Sequence, residues 1–266
     1  MEEYYFRKKR KIFYKTNKID IKRRTIVFIH GLSGSSSAWI NYEKHFEKKF
    51  NVISFDLRGH GKSFRPKVKE EYKLNKFAED LFYLLKYLKI NQAILVSHSM
   101  GVLVAIDFIE KYPKFVESAV FISPSYNPSK RKITKFVISM LKPVNWIVPY
   151  NEKIGRHLDY SKYKNTGDWN LRRMKADIKN TGLKSVIIST IESYKFNGKK
   201  TLKKINFPVL IVHGKKDTIF PLKDSLDMSQ MIKGSKLVMF DKANHIIVLN
   251  CFNDLTKSIE EFLDKN

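Results

Sequence analysis

The sequence predicts an α/β protein built on a mostly parallel, doubly wound sheet of eight strands. Six apolar runs recur along the chain, and most are continuous rather than alternating, which is typical of strands buried on both faces of a parallel sheet. These runs are Thr25–Ile29, Val52–Asp56, Ala93–Val96, Ala119–Ser123, Val209–Val212 and Leu237–Phe240. Helix-length stretches lie between them, and strands that alternate with helices indicate βαβ units.

Three of the intervening stretches are predicted to be helices, and the N-terminus is predicted to supply the remaining two strands. The helices are Asn75–Leu88, Val102–Tyr112 and Leu255–Leu263. The stretch Tyr4–Tyr14 surrounds the basic run RKKRK. We expect it to form an antiparallel hairpin on the edge of the sheet, which completes the count of eight strands.

Residues 128–205 interrupt the alternation and predict an inserted helical cap on a core made of residues 1–127 and 206–266. This segment carries nineteen basic and five acidic residues, a net charge of +14 out of +25 for the chain. Apolar residues recur at helical spacing in residues 133–141 and 183–194. We expect Pro143 to end the first helix, and we expect the apolar stripe of that helix to face a site at the carboxyl edge of the sheet, where α/β proteins bind ligands.

Composition excludes several classes of protein. The single cysteine, Cys251, rules out an intramolecular disulfide and a cysteine-based zinc or iron–sulfur site. The N-terminus is polar, and no run of 18 apolar residues occurs, so we expect a cytoplasmic location and no transmembrane helix. Lysine makes up 41 of the 51 basic residues. Proteins that read base sequence favour arginine, so we expect no specific nucleic-acid binding. A lysine-rich coding bias is the preferred explanation of the charge, and an anionic partner is the alternative.

The segment Ser97-His-Ser99-Met-Gly101 follows an apolar run and precedes a predicted helix. It matches the nucleophile elbow G-x-S-x-G except that Ser97 stands at the first glycine position. In such an elbow small residues flank the serine because strand and helix approach closely. The turn lifts the serine hydroxyl above the sheet, so Ser99 is the candidate nucleophile.

A serine hydroxyl needs a base to attack at neutral pH, and the base needs an acid to hold it. Asp217 lies in the loop after the strand run Val209–Val212, and His245 lies in the loop after Leu237–Phe240. Both loops leave the same edge of the predicted sheet as Ser99. Asp241 lies nearer to His245 along the chain and competes for the acid role, but it ends its own strand and reaches the histidine less easily.

The loop His30-Gly31-Leu32-Ser-Gly follows the first strand of the parallel set. In this architecture that loop supplies one backbone N–H of an oxyanion hole, and the residue after the nucleophile supplies the other. The backbone amides of Leu32 and Met100 are therefore the expected donors. His30, Gly31 and Gly101 are expected to shape the loops.

These motifs together resemble the α/β-hydrolase superfamily in its capped serine esterase/lipase-like branch. The matches are HGLSG at 30–34, DLRGHGKS at 56–63, SHSMG at 97–101, HGKKD at 213–217 and ANH at 243–245. The resemblance implies Ser99 as nucleophile, His245 as base and Asp217 as its orienting acid, with no cofactor and no metal. Within DLRGHG we expect Asp56 and Arg58 to pair and hold the loop.

The predicted function is hydrolysis of carboxylic esters with apolar acyl chains through an acyl-enzyme, as in a carboxylesterase or a monoacylglycerol lipase. The expected partner is a small-molecule ester. The basic and apolar cap also suggests transient contact with an anionic membrane surface. Thioester hydrolysis, C–C bond hydrolysis, acyl transfer and a slow-turnover ligand sensor on the same fold remain alternatives.

Overall fold

The computed structural model describes residues 1–6, 10–130 and 132–266. Its strands alternate with helices along the parallel part of the sheet, as the apolar runs predict. The strands are β1 (Glu2–Phe6), β2 (Ile12–Thr16), β3 (Thr25–Ile29), β4 (Asn51–Phe55), β5 (Ala93–His98), β6 (Val116–Ile122), β7 (Val209–Gly214) and β8 (Lys236–Phe240).

The helices are α1 (Ile40–Phe46), α2 (Leu74–Tyr87), α3 (Met100–Lys111), α4 (Lys132–Ile147), α5 (Leu171–Thr181), α6 (Leu183–Ser193), α7 (Lys199–Leu202), α8 (Leu222–Met231), α9 (Ile247–Asn250) and α10 (Phe252–Leu263). Across the residues that the structure describes, no helix is long and apolar enough to cross a membrane.

The eight strands form one sheet in the order β1-β2-β4-β3-β5-β6-β7-β8. Along this order every neighbouring pair from β4 onward is parallel, whereas the pairs β1–β2 and β2–β4 are antiparallel. The predicted edge hairpin is confirmed for its two strands, while turn residues 7–9 lie outside the described part of the chain. Between β3 and β5 the strand order reverses, and ligands bind at such a switch point in open α/β sheets.

The parallel strands are apolar on both faces because helices cover both. In β3, Val27 and Ile29 belong to the cluster that α2 and α3 complete, whereas Ile26 and Phe28 pack in a second cluster with α1 and α10. All four side chains are 0% exposed. This two-sided burial is the physical reason that the strand runs are continuous in the sequence, and the predicted doubly wound fold is confirmed.

The chain between β6 and β7 is helical and holds α4 to α7, in agreement with the helices predicted there. The division into a core and a cap stays a prediction. Pro143 does not end α4 but lies within it, four residues before its C-terminus. Proline removes one N–H donor, and its ring crowds the carbonyl one turn earlier. Here both Pro143 and Ser139 are exposed, so water can bind the carbonyl that loses its donor.

The expectation that the apolar stripe of α4 faces the site is wrong. Ile133, Phe136 and Met140 point to solvent and are more than half exposed. The helix packs against α6 instead, through a side on which Thr134 is buried. Helical periodicity identified the apolar stripe, but it carried no information on which neighbour covers it.

Candidate active site

Ser99 occupies a strained turn between β5 and α3. Its backbone has φ 54° and ψ −119°, a conformation that costs a non-glycine residue about 1–3 kcal/mol. The Ser99 N–H donates to the carbonyl of Ile122 on the neighbouring strand at 3.0 Å, and the Ser99 carbonyl accepts from Val102 N–H at 2.9 Å. The surrounding sheet and helix therefore hold the turn in place.

Close packing around the turn explains its small residues. A Cβ on Gly101 would lie 2.5 Å from the carbonyl oxygen of Ile29, so only glycine fits there. Ser97, which stands where the motif has glycine, is fully buried in β5, and its hydroxyl donates to the Val120 carbonyl at 3.2 Å. Serine is accommodated because its one polar atom finds a partner.

The structure brings Ser99, His245 and Asp217 into one hydrogen-bonded chain. The Ser99 Oγ lies 2.8 Å from His245 Nε2, and His245 Nδ1 lies 2.7 Å from Asp217 Oδ2. The three side chains come from the loops after β5, β8 and β7, which meet at the carboxyl edge of the sheet. All three are almost completely buried. A histidine held in this way can accept a hydroxyl proton through Nε2.

Asp217 is held as a carboxylate by its surroundings. Burial alone would raise its pKa, but the hydrogen bond and charge of His245 and the backbone N–H of Phe220 outweigh burial and leave the pKa below its ordinary value. Its second oxygen accepts the N–H groups of Ile219 and Phe220, both at 2.8 Å. The competing Asp241 is exposed and pairs with Lys215 at 2.8 Å.

The His30–Gly34 loop passes directly beside Ser99. A Cβ on Gly31 would lie 3.1 Å from the Cβ of Ser99. The buried His30 ring links this loop to the chain after β4. Its Nδ1–H donates to the Gly31 carbonyl at 2.8 Å, and its Nε2 accepts the Leu57 N–H at 3.0 Å. Burial lowers the pKa of His30 to about 4, so the ring is neutral at pH 7.

The backbone N–H groups of Leu32 and Met100 donate to no protein atom in the described residues. Met100 opens α3, where the first N–H groups of a helix have no intrahelical acceptor. A free N–H at a helix start attracts negative charge. Both amides thus lack a protein acceptor within the described part of the chain, and their role as oxyanion donors stays a prediction.

A family model for the alpha/beta hydrolase fold matches residues 24–250. The chain belongs to this alpha/beta hydrolase fold family.

Three known proteins that are similar to this chain place the match in context. Protein ABHD8 of Homo sapiens is 25% identical over 247 residues, covering 90% of this chain and 54% of that protein. This chain therefore spans about half the length of the ABHD8 relatives. The proline iminopeptidase of Saccharolobus solfataricus is 26% identical over 289 residues, covering 96% and 89% of the two chains. A thermophilic esterase from Thermogutta terrifontis superposes with a TM-score of 0.78 at 18% identity, covering 96% and 94%.

Asp168 is a site residue that the sequence analysis missed. It comes from the segment between β6 and β7, and it joins the two loops that carry His245 and Asp217. Its Oδ1 accepts the His245 N–H at 2.8 Å, and its Oδ2 accepts the N–H and hydroxyl of Thr218 at 3.0 and 2.8 Å. Asp168 lies 77 positions before His245, and a separation of this length in the sequence does not indicate a contact.

The DLRGHG segment stabilises the neighbouring loops differently from the prediction. Asp56 and Arg58 do not pair with each other. Asp56 accepts the backbone N–H groups of Ser36 and Lys62, both at 2.7 Å. Arg58 instead forms a buried, two-pronged ion pair with Asp80 of α2, both bonds at 2.7 Å. Asp56 follows β4 directly and Arg58 lies in the turn beyond it, so the alternation of an extended strand does not continue between them.

A cavity of about 230 Å³ opens beside Ser99 and His245. Most of its wall is apolar, and its polar side is formed by residues of the segment between β6 and β7. The apolar lining includes Leu32, Trp39, Met100, Leu103, Met174, Ile219, Phe220, Ile246, Val248 and Leu249. Trp169 also lines the cavity, whereas Trp146 is 88% exposed to solvent.

The two carboxylates of the segment between β6 and β7 that line the cavity, Asp168 and Asp177, both have partners. Asp177 accepts the Tyr160 hydroxyl at 2.8 Å and Arg173 Nη1 at 3.3 Å. Arg173 also donates to the Asp168 carbonyl at 2.6 Å. Among the described residues no cluster of His, Cys, Asp or Glu side chains is arranged to hold a metal ion.

We predict that Asp168→Ala destabilises the protein because it strands the buried N–H of His245 and also removes the acceptor of the part-buried Thr218 N–H. A buried donor left without an acceptor costs about 1–3 kcal/mol, so the free energy of unfolding should fall by about that amount. Urea denaturation measures this, and amide hydrogen exchange at His245 should accelerate. Asp159→Ala, an exposed aspartate of the same segment, is the matched control. Equal losses in the two variants would contradict the bridging role of Asp168.

We predict that Asp177 makes stability depend on pH. Burial raises the pKa of Asp177 from 3.8 to about 6, so between these values the folded state binds more protons than the unfolded state. Stability therefore falls as pH rises through this window, by about 3 kcal/mol at most. Comparing urea denaturation of the wild type and Asp177→Asn from pH 4 to pH 7 isolates this contribution. Parallel stability curves for the two proteins would contradict the prediction.

Proposed function

We propose that the protein is a serine hydrolase that cleaves carboxylic esters with apolar acyl chains. Ser99 is the nucleophile, His245 the general base and Asp217 the acid that orients it. The observation that carries this proposal is the continuous contact from Ser99 Oγ to His245 Nε2 at 2.8 Å and from His245 Nδ1 to Asp217 at 2.7 Å. This arrangement gives the imidazole the tautomer in which Nε2 is free to accept a proton.

In the first half-reaction the Ser99 oxygen bonds to the ester carbonyl carbon while its proton passes to His245 Nε2. The carbonyl oxygen becomes an oxyanion, and the N–H groups of Leu32 and Met100 donate to it. Asp217 stabilises the imidazolium that forms. The tetrahedral intermediate then collapses, the bond to the alcohol oxygen breaks, and the alcohol leaves with the proton from His245.

In the second half-reaction water attacks the acyl-enzyme. His245 removes a proton from the water as its oxygen bonds to the acyl carbon. Collapse of this second intermediate breaks the bond to Ser99, which regains its proton from the imidazolium. The acid product leaves and the free enzyme returns. The two backbone donors stabilise both oxyanions, and losing one such donor typically costs about 3 kcal/mol in the transition state.

An apolar acyl group suits the cavity better than a charged one. Its wall is mostly apolar, and its carboxylates already have partners, since Asp168 bonds to Thr218 and Asp177 bonds to Arg173 and Tyr160. A peptide with a free N-terminal amine would need an unpaired anion there. Transfer of the acyl group to another acceptor, thioester cleavage and C–C cleavage use the same three side chains, and an ester is the simplest substrate that meets the requirements of the site.

Labelling with a fluorophosphonate probe tests the nucleophile directly. We predict that the wild type is labelled and turns over p-nitrophenyl esters continuously. In Ser99→Ala labelling disappears and kcat falls by a factor of at least about 10⁴, because no other group can form the acyl-enzyme. Ser258→Ala, on the distant helix α10, is the matched control and should behave as the wild type.

Two outcomes would overturn the proposal. Retained labelling of Ser99→Ala would show that another residue is the nucleophile. Release of one equivalent of p-nitrophenol followed by no further turnover would show a slow sensor of ligands instead of an esterase.

We predict a preference for short to medium acyl chains. The cavity of about 230 Å³ beside Ser99 gives room for an acyl group of short to medium length. Across p-nitrophenyl esters from acetate to palmitate, kcat/KM should peak in that range and be about tenfold lower for palmitate, since forcing excess methylenes against a filled lining costs about 1–3 kcal/mol.

A substitution that fills the cavity should move the optimum. Met174→Trp narrows the lining, so the best substrate becomes shorter. Met239→Trp places the same side chain on β8 away from the cavity and should leave the profile unchanged. An optimum that is the same in all three proteins would mean that this cavity does not hold the acyl chain.

A further inference from the structure

The outward side of helix α4 is a continuous apolar surface. It consists of Ile133, Phe136, Met140, Val144 and Ile147, which recur at helical spacing over four turns, and we call these five residues the outward face. Their side chains are between 42% and 74% exposed. Trp146 lies on the flank of this face and is 88% exposed. Single exposed apolar side chains are ordinary, but a contiguous stripe of them marks an interaction site.

The side of α4 next to the outward face is already occupied by the protein. The helix packs on α6, Thr134 is buried, and Lys184 donates to the carbonyl of Asn145. The helix is therefore held with one side docked and the outward face turned to solvent. Burying the outward face within the molecule would require α4 to rotate off α6.

The charge around the outward face selects an anionic partner. Residues 118–151 contain no aspartate or glutamate, and residues 128–147 carry five basic residues. Lys135 and Lys142 lie exposed on the flank that also bears Trp146. A second copy of this chain would bring the same positive charge against itself, in a molecule whose net charge is already +25. Charge complementarity therefore favours a negatively charged surface over self-association.

We propose that the outward face of α4 docks the protein on an anionic lipid membrane. An exposed helix with apolar residues on one side and lysines on its flank lies in the plane of the lipid headgroups, with its apolar face among the upper acyl chains. The lysines interact with anionic headgroups, and tryptophan favours the boundary between the apolar and aqueous regions. The face is one side of a single helix, and a deformable lipid surface can cover such a side without a shaped groove.

This docking goes beyond the proposed hydrolysis and does not rest on it. It is therefore measured in Ser99→Ala, which cannot form the acyl-enzyme. Vesicles of phosphatidylcholine alone are compared with vesicles of equimolar phosphatidylcholine and phosphatidylglycerol by co-sedimentation. We expect binding to the anionic vesicles, much weaker binding to the neutral ones, and a decrease as salt is raised because ions screen the lysines.

Substitutions on α4 separate the contribution of the apolar side chains to membrane binding from that of the lysines. The triple variant Phe136→Ser, Met140→Ser, Ile147→Ser removes apolar area without touching the buried side of α4, and binding should weaken at least about tenfold. Lys135→Glu with Lys142→Glu should also weaken binding to anionic vesicles by about tenfold or more. Ile21→Ser is the matched control, since Ile21 is 97% exposed but lies at the amino edge of the sheet, before β3.

Fluorescence identifies the segment that inserts. In a Trp169→Phe background Trp146 is the exposed tryptophan and Trp39 is buried, so a blue shift on adding anionic vesicles reports Trp146 entering the lipid. Absence of binding to anionic vesicles would overturn the proposal. Binding that the serine triple variant retains in full would overturn it too, because charge alone would then suffice. A concentration-dependent dimer in gel filtration, abolished by the triple variant, would instead assign the outward face to a second copy.

Discussion

The turn at Ser99 is the constraint on which the rest of the site depends. A residue with a side chain adopts φ 54° only where its surroundings compensate about 1–3 kcal/mol of strain. Here β5, β6 and α3 hold the turn through the Ser99 backbone bonds and through the contact of Gly101 with the end of β3. The strain lifts the hydroxyl off the sheet, above the strands that would otherwise bury it, and places it where loops from other strands can reach it.

The carboxyl edge of a parallel sheet brings those loops together, but it does not by itself align them. The loops after β7 and β8 are tied to each other by Asp168, and the loop after β3 is tied by Thr181, whose hydroxyl donates to the Ser33 carbonyl at 2.8 Å. Both of these residues come from the chain between β6 and β7. That segment therefore does more than cover the cavity, since it also sets the positions of the loops beneath it.

The sequence contains enough information for the sheet, its flanking helices and the three linked side chains. Strand runs such as Thr25–Ile29 are recognisable because both faces of the sheet are buried, and Ser99, Asp217 and His245 each follow a strand in a local pattern. The bonds of Asp168 and Arg58 could not be predicted in the same way. They join residues that are distant along the chain, and a single carboxylate or guanidinium carries no sign of which distant donor or acceptor it will meet.

Helix α4 shows the limit of periodicity in its clearest form. The apolar stripe that the sequence predicts there spans two environments: Val137 and Leu141 are half-buried toward the protein, while Ile133, Phe136 and Met140 are exposed. An apolar stripe of this width is typical of a helix that packs on a core. It is equally typical of a helix that has a second apolar partner. The position of α6 decides which part of the stripe is buried, because α6 covers one edge of the stripe and leaves the other edge in contact with water. The exposed edge is therefore apolar surface that packing on α6 does not require. Its exposure to water costs free energy, and contact with the apolar part of a membrane would recover that free energy.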